Sequence, residues 1–484
     1  MPEKQTQTQT ETSETFFKCS CTPPPRGKRS RNLVINLDGT SNKYGPKNTN
    51  VIELYSHIDV SEDQLKYYNS GIGTSAQPSW KLLSYCMQIL DNKIDLAIAW
   101  NFEKVLLGAY RWLSEHYKPG DRIFLFGFSR GAFQVRALAG MIEKVGLLYE
   151  GNEEQIPFAF ELYASVYGEE REQAAKHFKE TFSVKDVRVH FIGVWDTVSS
   201  IGIFKGMTLP LTDSCDHVCA FRHALALDEC RVKFLPECIA GPFHKPFPIN
   251  AKEVWFSGSH SDVCVCINVS KLLVPLLWME NEALMAGLHF SRASINWKVH
   301  DLQESEPTES LSGAWWLLEC IPYSLKANHD PAHLSRVPRL GSGRVIYPGQ
   351  KIHASVAFKL SKTYDSEGEG YYPLAEFWRG TETMLYWHNI LGTGPSGEFR
   401  RVPAWKDRLE MDLFDFTHLP GILAHLGDKD ITDGDASHIL NRIYFLTSLS
   451  ESNSIAVLYL LDRSNDSQTM GSSLYEKQII FRRR

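Results

Sequence analysis

Residues 119–145 carry, in order, a stop signal, a buried strand, a glycine-bracketed turn and a helix. Lys118-Pro119-Gly120 ends the segment before it. Arg122-Ile123-Phe124-Leu125-Phe126 is then a continuous apolar run, the pattern of a strand covered on both faces. Phe133 to Val145 is apolar at helical spacing through Val135, Leu138, Ala139, Met141 and Ile142. Between them lies Gly127-Phe128-Ser129-Arg130-Gly131. A strand passing into a helix through so short a turn brings the two backbones close together. Glycines on either side of the central serine allow that approach.

The same order recurs along the chain. Leu33 to Leu37 reads as a strand stopping at Asp38-Gly39-Thr40, Val187 to Val194 as one ending at Trp195-Asp196-Thr197, and Glu253 to Phe256 as one ending at Gly258-Ser259-His260. Segments of helical period fall at 94–117, 221–228 and 272–288. Strands alternating with helices predict an α/β fold, a mostly parallel sheet with helices on both faces. The expected domain spans residues 31–360. Residues 1–30 read as a disordered tail, with TQTQTET repeats, a proline triplet and a basic run from Arg26 to Arg31. That run is read as a solvated tail ahead of a nuclear-import signal. Residues 361–484 form a C-terminal extension, read as mainly helical from the segments 409–426 and 436–449.

Composition removes several classes of function. A net charge of −6, without a basic stripe, gives no reason to expect nucleic acid. The ten cysteines include no pair of CxxC motifs, which argues against a zinc ribbon, and Cys215 and Cys219 read as buried thiols. The most apolar stretch, Val263 to Met279, is interrupted by Asn268, Ser270, Lys271 and Pro275 and is too short to span a bilayer. The polar N-terminus has no apolar signal core, so a cytoplasmic, reducing setting is expected.

Four features stand at strand ends, where open parallel sheets place their chemistry: Asp38-Gly39-Thr40, Ser129, Asp196 and His260. A serine hydroxyl is a weak nucleophile at neutral pH. It needs a histidine base, and the base needs a carboxylate to fix its tautomer. α/β-Hydrolases supply these in the chain order serine, acid, histidine, which Ser129, Asp196 and His260 follow. The N–H of Arg130 is the expected first oxyanion donor and that of Gly39 or Thr40 the second. Asp38 belongs to the same turn. Aspartyl phosphatases carry Asp-x-Asp-Gly-Thr there, but Asn36 stands at the nucleophile's position, which disfavours a phosphoester hydrolase. His353 is the reserve base, and His223 is read as a structural histidine on an apolar helix. Asp262 either supports its loop or holds a cation. The acidic run 428–435 fails as a calcium loop, with Asp433 where glycine is needed and Ile439 where glutamate is needed.

Together these stretches resemble the type VI secretion lipase effector-like α/β-hydrolase domain, found also in many fungal proteins. Asn48-Thr49-Asn50-Val51, Tyr68 to Thr74, Pro119 to Phe133, Val194 to Val198, Arg222 to Glu229, Val254 to Asp262 and Ile352 to Val356 carry the resemblance, over roughly 32–360. It implies a Ser–Asp–His triad on Ser129, Asp196 and His260, and hydrolysis of carboxylic esters, including lipids. No metal or organic cofactor is implied. The implied partner is an ester or lipid substrate, with peripheral contact to a membrane; no oligomeric state is implied. The family follows His-Ser-Asp with glycines, where this chain has Val263-Cys264-Val265-Cys266. That departure motivates an alternative, a catalytically impaired interaction module on the same fold.

Overall fold

A computed structural model describes residues 19–27, 29–39, 48–70, 91–165, 168–198, 209–239, 247–264, 273–291, 307–311, 316, 319, 339–353, 355–356, 371, 373–377 and 414–415. Their centre is one sheet. Its strands are β1 (Asn32–Leu37), β2 (Gln64–Asn69), β3 (Arg122–Phe128), β4 (Val189–Trp195), β5 (Val218–Ala226), β6 (Ala251–Phe256), β7 (Lys351–His353) and β8 (Phe414–Asp415). The spatial order is β8-β7-β6-β5-β4-β3-β1-β2, and every neighbouring pair is parallel. Connections therefore run outward in opposite directions from β1 and β3. The crevice at their carboxyl ends is the topological switch point, where such sheets bind ligands.

The helices are α1 (Asn50–His57), α2 (Asp91–His116), α3 (Arg130–Val145), α4 (Ile156–Ala164), α5 (Glu169–Phe182) and α6 (Leu273–Met285). Alternation along β1 and β3 feeds two of the three cores among the described residues. Leu33, Ile35, Leu37, Ile123 and Leu125 pack with α2, α3, α4 and α5 on one face. Val34, Phe124, Phe126 and Phe128 pack with α1 and α6 on the other. All six residues of β1 are buried, its apolar side chains in the two cores and its two asparagines as donors, Asn32 to Gln64 Oε1 and the Gly287 carbonyl and Asn36 to the Tyr67 carbonyl.

Residues 221–228 are not helical. Phe221 to Ala226 lie within β5, paired with β4 and β6. The Ala-Leu-Ala stretch favours a helix in isolation, but a slot between two buried strands overrides propensity. Alternation is visible here too: Phe221 joins one core, and Ala220, Ala224 and Ala226 the other. Part of the N-terminal segment is described. Residues 19–27 lie against the domain at several points: Thr22 donates to the Asp186 carbonyl (3.1 Å), and a Cβ on Gly120 would stand 2.4 Å from Pro24 Cα. Beyond residue 360, Glu376–Phe377 pairs with Val345–Ile346. Phe414–Asp415, inside the span expected to be helical, is instead the edge strand β8. The segment 436–449 and the acidic run 428–435 lie outside the described residues.

Candidate active site

The turn from β3 into α3 shows why its glycines are required. A Cβ at Gly127 would meet Gly131 O at 2.6 Å, and one at Gly131 would meet Leu37 O at 2.3 Å and Asp38 O at 2.5 Å. Both obstacles are backbone and cannot swing away. Ser129 between them has φ 56° and ψ −121°, a conformation L-residues rarely adopt. It occupies the cap position of α3 without a side-chain cap bond, so its hydroxyl is turned away from the helix. Arg130 follows at the first helical position, where backbone N–H groups have no acceptor inside the helix. Burial lowers the pKa of its guanidinium.

Three residues from three strand ends are joined. Ser129 Oγ lies 3.0 Å from His260 Nε2, and His260 Nδ1 lies 2.5 Å from Asp196 Oδ2. The tautomer follows from the partners: an ionised carboxylate only accepts, so Nδ1–H donates to Asp196 and Nε2 accepts from the serine hydroxyl. The His260 ring is stacked on Phe128, with centroids 4.7 Å apart, and met edge-on by Phe234 at 4.8 Å. Its backbone N–H donates to Glu229 (3.2 Å), a carboxylate held in turn by Arg231.

Asp196 is wholly buried, and its backbone is also left-handed, at φ 43°. Burial alone would push its pKa up. Arg344 and His260 overcome that and hold it well below the usual carboxylate range. Arg344 reaches the carboxylate with both arms of its guanidinium, Nη1 to Oδ1 at 2.6 Å and Nη2 to Oδ2 at 2.8 Å, and the Ala226 N–H adds a third donor to Oδ1 at 3.1 Å. Sequence reasoning missed Arg344. Its only signal is an arginine behind Gly341-Ser342-Gly343.

His223 lies on β5 and is fully satisfied: its ring accepts from the Thr197 N–H at Nε2 (3.1 Å) and bonds Glu253 at Nδ1 (3.1 Å). It braces the turn that carries Asp196. Burial lowers its pKa, against the pull of Glu253. His353, the reserve base, bonds Ser355 Oγ at 2.9 Å and stacks on Phe256, and no described contact joins it to Ser129. Asp38 is buried. Its Oδ2 accepts from Thr49 (2.7 Å) and Tyr68 (3.1 Å), and the Gly39 N–H is engaged by its Oδ1 at 2.6 Å. Thr40 lies outside the described residues.

Asp262 serves its loop, accepting from the Ser259 and Thr308 N–H groups at 2.9 and 2.7 Å and from both hydroxyls. Of the residues replacing the family's glycines, Val263 and Cys264 are fully buried, and neither has positive φ. Their carbonyls accept from Asn50, at 2.9 and 2.6 Å. Val265 and Cys266 lie outside the described residues. A cleft of about 440 Å³ opens nearby, lined by Asp228, Thr308, Leu311, Trp316 and Tyr371, but none of Ser129, Asp196 and His260 lines it.

This assembly can be set beside known proteins. The model of the type VI secretion phospholipase effector Tle1-like catalytic domain matches residues 31–282, just over half of the chain. The chain belongs to the Tle1-like phospholipase effector family. The uncharacterized protein YEL023C of Saccharomyces cerevisiae is 33% identical over 292 residues, which are 57% of this chain and 42% of that relative. The match thus spans less than half of the yeast protein. Among solved structures, an uncharacterized protein from Pseudomonas aeruginosa is 19% identical, with a TM-score of 0.31, covering 54% of this chain and 47% of that one. The Tle1 effector bound to the VgrG spike of the type 6 secretion system is 20% identical, with a TM-score of 0.29, covering 50% and 52%. Among the described residues of this family member, no helix is long and apolar enough to cross a membrane.

Proposed function

We propose that this Tle1-like chain is a serine hydrolase cleaving carboxylic esters of lipids, with its catalytic domain over residues 31–360. One observation carries the reading: an unbroken hydrogen-bonded chain from Ser129 through His260 to Asp196, at the carboxyl ends of a parallel sheet. His260 Nε2 takes the hydroxyl proton as Ser129 Oγ attacks the ester carbonyl, and Asp196 orients the ring and offsets its charge. The oxyanion then accepts from the Arg130 N–H. With the Gly39 N–H engaged by Asp38, Thr40 is the remaining first-strand candidate for a second donor. His260 returns its proton to the leaving alcohol. Water then enters and gives a proton to His260 as its oxygen bonds the acyl carbon; the bond from that carbon to Ser129 Oγ breaks, the acid leaves, and His260 returns the proton to Oγ.

Family membership supports the lipid class. The buried placement of Val263 and Cys264, with His260 still bonded to Ser129, supports turnover over the impaired-module alternative. The test is a fluorophosphonate probe together with a panel of short-chain esters and phospholipids. Wild type is labelled and turns over an ester; Ser129→Ala does neither. Equal labelling of the two proteins would overturn the nucleophile.

A further inference from the structure

At the opposite end of the sheet from Ser129, four metal-binding side chains converge. His190 is the second residue of β4 and Cys219 the second of β5, adjacent parallel strands. Cys19 and Cys21 come from the N-terminal segment laid against them. Cys19 Sγ is 3.2 Å from His190 Nδ1 and 3.9 Å from Cys219 Sγ; Cys21 Sγ is 3.5 Å from each of the same two atoms. All four ligand atoms lie within 4.8 Å of one another. A tetrahedral zinc, with Zn–S of about 2.3 Å and Zn–N of about 2.0 Å, sets S···S edges near ~3.8 Å and S···N edges near ~3.5 Å. The four separations given sit around those values, and the other two edges are within 4.8 Å.

The surroundings match what a ligand set needs. His190 Nε2–H donates to the Ala286 carbonyl at 2.9 Å, which leaves the Nδ1 lone pair facing the sulfurs. Backbone N–H groups support two of the sulfurs, Ser20 N–H to Cys219 Sγ and Cys21 N–H to Cys19 Sγ, both at 3.4 Å. His190 and Cys219 are buried, and Arg122 interacts electrostatically with Cys19 and Cys21. Three thiolates around a divalent ion leave one net negative charge, which that arginine offsets. Three thiols cannot all pair as disulfides, and every described cysteine is free.

We propose that Cys19, Cys21, His190 and Cys219 form a closed, structural zinc site that pins the N-terminal segment to the base of the sheet. Soft sulfur donors with one imidazole in a tetrahedron select zinc over magnesium or calcium. Four protein ligands leave no open position for substrate, so the site is structural. It ties together parts of the chain 171 and 200 residues apart and, through His190, the loop after α6. Sequence spacing hides it: two ligands fall in a segment that reads as tail, and the others on separate strands.

The test uses the full chain, purified without chelator and analysed for metals by mass spectrometry. About one zinc per chain is expected. Cys19→Ser and Cys219→Ser should each drop zinc to background, while Cys215→Ser, a buried thiol outside the cluster, retains it. Cys19 is exposed, so its variant should keep the circular dichroism of the wild type even if Cys219→Ser does not fold. Cobalt loaded in place of zinc should show the bands of a tetrahedral thiolate site, and Cys19→Ser should abolish them. A metal-free wild type, a Cys21–Cys219 disulfide in peptide mapping, or zinc retained equally by Cys19→Ser would overturn the site. Stoichiometric iron or copper would overturn the choice of metal.

Discussion

Arg344 clamps Asp196 through two hydrogen bonds, 2.6 and 2.8 Å long, on the same carboxylate that receives His260 Nδ1–H. The arginine is 148 residues from its partner, and both are buried. Its position has a cost and a use. A guanidinium on the carboxylate reduces the negative charge that reaches His260. It also keeps a fully buried carboxylate ionised, so that Asp196 remains an acceptor able to hold the imidazole tautomer.

Removing the guanidinium should therefore act on stability first. Arg344→Ala leaves a buried carboxylate without its cation, a loss of about 3–5 kcal/mol. Asp196 has a depressed folded pKa, so its contribution is present above the unfolded value of 3.8 and fades as pH falls through the folded one. Without Arg344, burial raises that folded pKa, and the acid-unfolding midpoint should move to higher pH. Arg344→Lys keeps the charge but not the fork, and should fall between the two. Denaturant titrations across pH check this; an Arg344→Ala protein as stable as wild type would contradict the ion-pair account.

Ser129 carries a different kind of strain. Its φ of 56° is costly for any residue with a Cβ, on the order of 1–3 kcal/mol. Ser129→Gly should relieve that strain, against the added chain entropy of glycine, for a net stabilisation of about 1 kcal/mol. Ester hydrolysis should vanish in the same protein. Thermal unfolding read beside activity tests it: a lower melting temperature would show that the turn is not strained.

How far the site is legible in the sequence depends on what each residue answers to. Gly127, Ser129 and Gly131 answer to local geometry, because their neighbours in space are also neighbours in sequence or the adjoining strand end. Asp196 and His260 follow from the rule that chemistry collects at strand ends, and the structure brings both to Ser129. Arg344 answers only to a tertiary partner, and no local pattern marks it. The misreading of 221–228 has the same root: Ala224-Leu225-Ala226 suits a helix until β4 and β6 claim both of its edges. Gly39 was foreseeable as a turn residue, but not that the Asp38 side chain would take up its N–H, which depends on a rotamer.

The turn glycines yield a sharper test than the serine itself. Gly131→Ala would place a Cβ 2.3 Å from the Leu37 carbonyl and 2.5 Å from that of Asp38, so β1 and α3 must separate. Overpacking of this kind costs roughly 1–3 kcal/mol. It also displaces Ser129 from His260, so the catalytic rate should fall more than stability does. Activity retained at wild-type level would show that the turn tolerates a wider spacing.

If Ser129 and His260 act as one unit, their losses should not add. Ser129→Ala and His260→Ala should each lower kcat by about the same large factor, and the double variant by little more than either one. Asp196→Asn should cost a further distinct amount, about 10⁴-fold by analogy with a lost tautomer, together with some stability through Arg344. Single-turnover rates on a nitrophenyl ester read all four proteins. Additive losses in the Ser129 and His260 pair would separate the two residues functionally.

Far from the site, His57 at the end of α1 bonds Glu280 on α6 at 2.6 Å. The hydrogen bond to Glu280 raises the His57 pKa above 6.5, against the opposing effect of burial. A raised folded pKa means that the pair's contribution is fully present below the unfolded value and is lost as pH rises through the folded one. The stability difference between wild type and His57→Gln should therefore be larger near pH ~6 than near pH ~9. At the lower pH it should be about 1 kcal/mol, since both side chains are partly buried and only partly screened by water. Glu280→Gln should shrink the pH dependence to the same extent, because either substitution removes the same charge pair. Urea denaturation at the two pH values measures it, and a difference that grows with pH would place the proton elsewhere.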